Sequence, residues 1–179
     1  GLKVNFVFVS DNGMTRIDDE NPLKVPIKID ESKMQVASNG SYVSLFVKDK
    51  KDIESIYKDI KAKQDNTFDV YKKTHVPKKY HFDKKNDYHN RIGDIIVIAH
   101  APNYFANKNA PKGSHGFYVK DTPEMKATFM AWGPNIKTGK EINVFPNTQI
   151  YPMIAKILGL PITEKIDGTN QLANKILVK

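Results

Sequence analysis

Short apolar runs that are rich in β-branched and aromatic residues constrain the fold of this chain most. One is Asn5-Phe-Val-Phe-Val9, and two others are Ile95–Ala101 and Lys126–Trp132. Runs of this kind are typical of strands that are buried on both faces, as in a parallel sheet. Ser41–Val47 and Phe68–Lys72 are weaker strand candidates. The sequence therefore predicts several strands, most of them separated by polar segments.

Two helices are predicted, one between these strands and one after the last of them. Asp52–Lys63 carries apolar residues at positions i, i+3, i+4 and i+7, which indicates an amphipathic helix. Gln149–Leu158 is the second helix; it tolerates Pro152 only in its first turn, and Gly159 is expected to end it. Strands that alternate with helices predict an α/β domain. The stretch of about residues 18–95 instead suggests an α+β insertion, and residues 18–40 suggest loop with short extended pieces.

The length of 179 residues suits one domain or one large piece of a bigger domain. No apolar run approaches the roughly 18 residues that a membrane-spanning helix needs, and the chain has no Cys. The sequence starts at Gly1 without an initiator Met or a signal peptide, and it enters a strand almost at once. We therefore expect a truncated or processed chain that has lost sequence ahead of Gly1.

The net charge of +8 invites a nucleic-acid or anionic-surface interpretation. Residues 48–91 hold 13 Lys and Arg against eight Asp and Glu, so they contribute +5 of this excess. Lys greatly outnumbers Arg, and no nucleic-acid-binding motif is present. A solvated, Lys-rich surface is therefore favoured over a phosphate-attracting face, and no nucleic-acid partner is expected.

Two turns carry residues that are suited to ligand binding or catalysis. Asp11 and Asn12 follow the first strand, where ligands of open parallel sheets bind, and Gly13 permits close backbone approach. His115 lies between two glycines in a loop, which suits a metal ligand or an acid–base group. Taken singly, each has a plainer explanation, since Ser-Asp-Asn-Gly is an ordinary Asx turn and a lone loop histidine is more often a surface residue.

Together with other blocks, these turns form a recognisable pattern. Asn5-Phe-Val-Phe-Val-Ser-Asp-Asn-Gly-Met14 resembles a strand followed by Ser-Asp-His-Gly-Met, and Lys112-Gly-Ser-His-Gly-Phe117 resembles Gly-Thr-His-Gly-Tyr. Both patterns belong to the type I phosphodiesterases/nucleotide pyrophosphatases, which are members of the alkaline phosphatase superfamily. Further similar blocks lie in order along the chain: Val70-Tyr71 through Pro77 and His81, Arg91-Ile-Gly-Asp-Ile-Ile96, Glu124-Met125 with Phe129-Met-Ala-Trp-Gly-Pro134, Val144-Phe-Pro-Asn147 with Ile150-Tyr151 through Leu158-Gly-Leu160, and Asp167-Gly168.

The resemblance implies the C-terminal part of an α/β, alkaline-phosphatase-like parallel-sheet sandwich that carries a small α+β insertion. Residues 1–179 would be one portion of a larger catalytic domain. The implied activity is a two-zinc phosphodiesterase in which a Thr or Ser nucleophile attacks phosphorus. Two metal ions can clamp the attacking and leaving oxygens of such a displacement. The implied substrate is a nucleotide or another phosphodiester, and the implied location is periplasmic or extracytoplasmic.

Carried over by position, Asp11 would ligate the nucleophile-side metal and His115 the water-side metal. Asn12 stands where the family has a His, and an uncharged amide oxygen is a poorer zinc ligand. The nucleophile and the remaining ligands would lie upstream of this chain. We therefore expect two divalent ions, with zinc favoured, in the full-length parent, and an incomplete or absent metal site in an inactive fragment. His81 is expected to be structural.

Two alternatives remain beside this interpretation. Because of Asn12, the protein could be a degenerate homologue that binds phosphate-bearing ligands without hydrolysing them. The basic charge leaves a nucleic-acid-binding module as the weaker option. If partner strands are missing, the strands around Val4–Val9 should show open edges or apolar faces through which the fragment could oligomerise.

Overall fold

The computed structural model describes residues 1–178, which form two compact units. The first unit joins residues 1–11 to residues 127–178, and the second spans residues 12–126. The strands are β1 (Phe6–Val9), β2 (Thr15–Arg16), β3 (Met34–Ser38), β4 (Tyr42–Val47), β5 (Phe68–Lys72), β6 (Ile95–Ala99), β7 (Gly113–Ser114) and β8 (Phe129–Trp132). The helices are α1 (Ile53–Lys61), α2 (Ile150–Leu158) and α3 (Gln171–Ile176).

In the first unit, β1 pairs antiparallel with β8, and α2 and α3 pack together. Met153, Leu172, Ala173 and Ile176 form the core of this unit, and Val7 packs against them. Pro152 is the third residue of α2, where a proline costs no helical hydrogen bond. Gly159 ends α2 with a φ of 68°, as the sequence predicts.

The second unit is built on a four-stranded sheet in the order β3-β4-β6-β5. Both β4 and β5 run antiparallel to β6, so they are parallel to each other. They lie on opposite sides of β6, and α1 connects them in the chain. Ile56 and Ile60 of α1 bury against one face of this sheet, which confirms the predicted amphipathic helix. Alternate residues of β6 face opposite cores: Ile95 and Val97 face α1, whereas Ile96 packs with Val76 and Ile92.

Several predicted elements differ in detail from the observed ones. Within residues 1–178 every paired named strand is antiparallel, so the parallel pairing expected of β1 is wrong for these residues. One face of β1 is half exposed, because Val7 turns toward α2 and α3 while Phe6 and Phe8 point to the opposite side. Residues 18–40, predicted as loop with short extended pieces, contain β3 as one such piece, whereas α3 has no counterpart in the sequence-based prediction.

The boundaries of the α+β insertion, about residues 18–95, stay a prediction. Among residues 1–178 no helix is both long and apolar enough to cross a bilayer.

Candidate functional site

Asp11 follows β1 in the first unit. Ser10, the residue before it, donates its N–H to the Thr128 carbonyl at 3.0 Å and accepts the Thr128 N–H on its Oγ at 2.8 Å. These two bonds extend the β1–β8 pairing by one residue and hold the strand end in place. The Asp11 carbonyl accepts the Asn147 side-chain amide at 3.4 Å. The Asp11 side chain itself is exposed at the end of the strand.

Asn12 and Gly13 begin the second unit. The N–H of Gly13 donates to the Met125 carbonyl at 3.0 Å. A Cβ on Gly13 would lie 1.9 Å from the Glu124 carbonyl oxygen, so no larger residue fits there. The sequence correctly indicates close backbone approach at Gly13, and the approaching group is the protein's own chain at residues 124–126.

His115 follows β7 and is exposed, whereas Ser114 before it is buried. Gly116 after it has a φ of 91°, and a Cβ there would lie 2.6 Å from Ser41 Oγ. In the antiparallel β2–β7 pair Thr15 faces Ser114. The Asn12–Met14 turn precedes Thr15 and His115 follows Ser114, so both leave this pair at the same end of the second unit.

The described residues do not make a complete metal site. Among residues 1–178 no group of three or more His, Asp or Glu side chains could hold a metal ion. A zinc ion needs three or four protein ligands. Neither Asp11 in the first unit nor Asn12 and His115 in the second can complete a coordination shell, and no reaction step through a metal follows from these residues.

The structure pairs Asp69 with His100, a contact that the sequence pattern does not indicate. His100 Nε2 lies 3.0 Å from Asp69 Oδ2, and His100 Nδ1 lies 3.0 Å from the Asn66 carbonyl. The Tyr71 hydroxyl donates to Asp69 Oδ2 at 2.9 Å. Burial and this bond to a carboxylate raise the pKa of Tyr71, so the phenol stays protonated. A prediction that β5 pairs with β6 would have placed Asp69 of β5 near His100, which follows β6.

The Arg-Ile-Gly-Asp block has a structural role. A Cβ on Gly93 would lie 2.8 Å from the backbone of Leu45, and Asp94 accepts the Val47 N–H at 2.8 Å. Lys50 Nζ lies 2.8 Å from the same carboxylate oxygen. This block therefore joins the start of β6 to the end of β4. His75, His81 and His89 are all exposed.

Several lysines of the basic stretch form ion pairs within the protein. Lys72 contacts Glu54 at 2.9 Å, Lys79 contacts Asp121 at 2.9 Å, and Lys73 forms an ion pair with Asp87. These partners reduce the positive potential that the stretch can offer to an external polyanion.

The fold described above is shared with solved nucleotide pyrophosphatases/phosphodiesterases. Human ectonucleotide pyrophosphatase/phosphodiesterase 5 matches with a TM-score of 0.81 at 21% identity, covering 98% of this chain and 46% of that one. An inactive variant of the murine enzyme in complex with AMP also matches with a TM-score of 0.81 at 21% identity, covering 97% of this chain and 45% of that one. At such low identity these likenesses define the fold alone. They confirm the predicted fold class, the alkaline-phosphatase-like α/β architecture.

The profile of the type I phosphodiesterase / nucleotide pyrophosphatase family matches residues 2–118, and the chain belongs to this family. Human ectonucleotide pyrophosphatase/phosphodiesterase family member 5 is 24% identical over 160 residues, which cover 88% of this chain and 32% of that protein. The bovine bis(5'-adenosyl)-triphosphatase ENPP4 is 28% identical over 159 residues, which cover 88% of this chain and 33% of that protein. The chain thus spans about a third of the length of these relatives.

Proposed function

We propose that this chain is part of a metal-dependent phosphodiesterase or nucleotide pyrophosphatase. The observation that carries the proposal is the position of two motif turns: the one that starts at Asn12 and the one that holds His115 leave the β2–β7 pair at the same end. The resemblance noted from the sequence assigns metal ligation to these turns. Family membership and the hydrolase names of the relatives support the same activity.

In this proposal Asp11 ligates one divalent ion and His115 ligates a second. Zinc is the favoured metal, and Asn12 joins Asp11 as a weak, uncharged ligand. Other segments of a longer protein supply the Thr or Ser nucleophile and the remaining ligands. Because residues 1–178 hold no complete metal cluster, the chain alone is expected to be inactive. The substrate is a nucleotide or another phosphodiester, and the "ecto" names of the relatives favour an extracytoplasmic location.

The test is hydrolysis of bis(p-nitrophenyl) phosphate by the full-length parent in the presence of zinc. His115→Ala should lower kcat/KM at least about 100-fold, because even groups that only orient metal ligands contribute 10–100-fold. His89→Ala, at an exposed histidine elsewhere in the second unit, is the matched control and should leave the rate unchanged. Absence of hydrolysis with every divalent metal tested would exclude the proposal.

A second candidate function rests on Asn12. Its amide replaces a histidine of the family pattern, and a weaker metal site could leave a protein that binds phosphate-bearing ligands without cleaving them. Asn12→His in the full-length parent separates the two functions. A degenerate homologue should gain turnover from this change, whereas a wild type that already turns over as fast rules degeneracy out.

A further inference from the structure

His100 follows β6 in the second unit, and both nitrogens of its ring contact oxygen atoms. Nδ1 lies 3.0 Å from the Asn66 carbonyl oxygen, and Nε2 lies 3.0 Å from Asp69 Oδ2. Asn66 belongs to the connection between α1 and β5, and Asp69 belongs to β5 itself. The ring therefore joins this connection to two paired strands. These three residues are called the His100 clamp below.

The two oxygen atoms favour one protonation state of the ring. A backbone carbonyl can only accept a hydrogen bond, and the same holds for an ionised carboxylate. Each ring nitrogen must therefore carry a hydrogen if both contacts are to be hydrogen bonds. An imidazole with two N–H groups is the charged imidazolium. Loss of one proton would leave a nitrogen lone pair facing an oxygen lone pair across 3.0 Å.

The acceptor role of Asp69 is set by its other hydrogen bonds. The side-chain amide of Gln64 donates to Oδ1 at 2.9 Å, and the Tyr71 hydroxyl donates to Oδ2 at 2.9 Å. The orientation of the Gln64 amide follows from its oxygen, which accepts the Val70 N–H at 3.1 Å. Hydrogen bonds donated to a carboxylate stabilise its charge. Both oxygens of Asp69 thus accept, and the third donor to them is His100.

A second carboxylate near the ring also favours the imidazolium. The hydroxyl and the N–H of Thr67 lower the pKa of Asp65, and the positive charge of His100 lowers it further. Three further titratable groups line the same cavity as His100, namely Tyr80, Tyr118 and Asp121. The charge of Asp121 is balanced by Lys79, whose Nζ lies 2.9 Å from it. The electrostatic surroundings of the ring are therefore set mainly by Asp65 and by the clamp itself.

We propose that the His100 clamp is a pH-dependent switch, which fixes the connection between α1 and β5 when the ring is protonated and loosens it when the proton leaves. The His100 side chain is 42% exposed, so it exchanges protons with the solvent. Imidazole ordinarily titrates near pH 6.5, which places the change between about pH 5 and 8. Unfolding removes both acceptors, so the folded clamp holds the proton more tightly. The stability that it adds is therefore present at about pH 5.5 and is lost as the pH rises.

The test is thermal unfolding of the 179-residue protein at about pH 5.5 and at about pH 8. At the lower pH, His100→Gln should have a Tm roughly 2–4 °C below that of wild type, as expected for one hydrogen bond in a chain of this length. At the higher pH this gap should shrink, because neutral imidazole and the glutamine amide can each keep one bond. His89→Gln is the matched control, because His89 is exposed, and its gap to wild type should be equal at both pH values.

Asp69→Asn provides a second variant in case His100→Gln does not fold, as judged by circular dichroism. It keeps the ring and removes the charged acceptor, so its gap to wild type should also shrink as the pH rises. A gap that stays constant or widens in the folded clamp variants would overturn the switch. An equal narrowing in His89→Gln would do the same, since it would assign the effect to histidine titration in general.

NMR of the wild-type ring N–H protons gives an independent measurement. At about pH 5.5 His100 should show two N–H signals protected from exchange with water, one on each nitrogen, and at about pH 8 it should show at most one. A single protected signal or none at the lower pH would contradict the clamp. Neither measurement needs a metal or a substrate, so the result does not depend on the proposed function.

Discussion

Gly116 shows at the scale of one residue what a motif can and cannot predict. The sequence brackets His115 with glycines and so indicates unusual backbone conformation. It does not say which atoms make glycine necessary. The structure supplies two reasons, a φ of 91° and the approach of Ser41 Oγ. Ser41 cannot move away easily, because it is buried and its Oγ donates to Asn39 Oδ1 at 3.1 Å.

Gly116→Ala should therefore lower the free energy of unfolding by about 2 kcal/mol through strain and crowding together. Gly139→Ala is the matched control, since Gly139 has a φ of 62° with no atom within 4 Å of the added Cβ. Strain alone should cost that variant about 1 kcal/mol. Urea unfolding followed by circular dichroism measures both values. A loss at Gly116 no larger than that at Gly139 would contradict the crowding by Ser41.

At the scale of elements, local sequence predicts α1, α2, β5 and the start of β6 well. The helical periodicity of α1 and the continuous apolar run of β6 can both be read from neighbouring residues. Residues 73–92, which include three short 3₁₀ helices, have no such periodicity. Their position depends on contacts such as the ion pair between Lys73 and Asp87, whose side chains are 13% and 3% exposed.

Because of Asp87, the stability of residues 73–92 depends on pH. Burial raises the pKa of its carboxyl, but the hydrogen bonds from Lys73 and from the N–H groups of Arg91 and Ile92 outweigh burial and lower it overall. A carboxyl whose pKa is lowered in the folded state adds stability above its unfolded value of about 3.9. That stability is lost as the pH falls through the folded value.

Asp87→Asn should therefore have a lower Tm than wild type at pH 7, and the gap should narrow as the pH falls below about 4. Asp59→Asn, on the exposed side of α1, is the control for removal of one negative charge. Thermal unfolding of the three proteins between pH 7 and the acid limit of folding measures the effect. A gap that is constant over this range would show that the ionised carboxylate of Asp87 does not stabilise the fold.

At the scale of the whole molecule, the main surface feature is one face of the β1–β8 pair. Phe6 and Phe8 lie opposite Trp132 and Met130 in the register, and all four side chains are 50–53% exposed. The Phe6 and Trp132 rings stack with centroids 5.3 Å apart. A contiguous apolar patch of this kind favours association. It agrees with the apolar face expected around Val4–Val9, and oligomerisation through it stays a prediction.

We expect the mass of the 179-residue protein to rise with concentration in sedimentation experiments at about 0.15 M salt, where repulsion between the basic chains is screened. Phe8→Ser with Met130→Ser should reduce this rise, since the two positions face each other within the patch. Tyr88→Ser, which removes an exposed aromatic side chain elsewhere, should leave it unchanged. A wild-type protein that remains monomeric at all concentrations would refute association through this face.

The sequence by itself determined the family, the fold class, the amphipathic helix α1 and the glycine-bracketed position of His115. These depend on local pattern and on motif blocks that follow one another along the chain. Only the tertiary structure decided the antiparallel pairing of β1, the contact of Asp69 with His100 and the approach of Ser41 to Gly116. The physical reason is that these features join residues far apart in the chain, and a local pattern cannot specify which distant surface a side chain will meet.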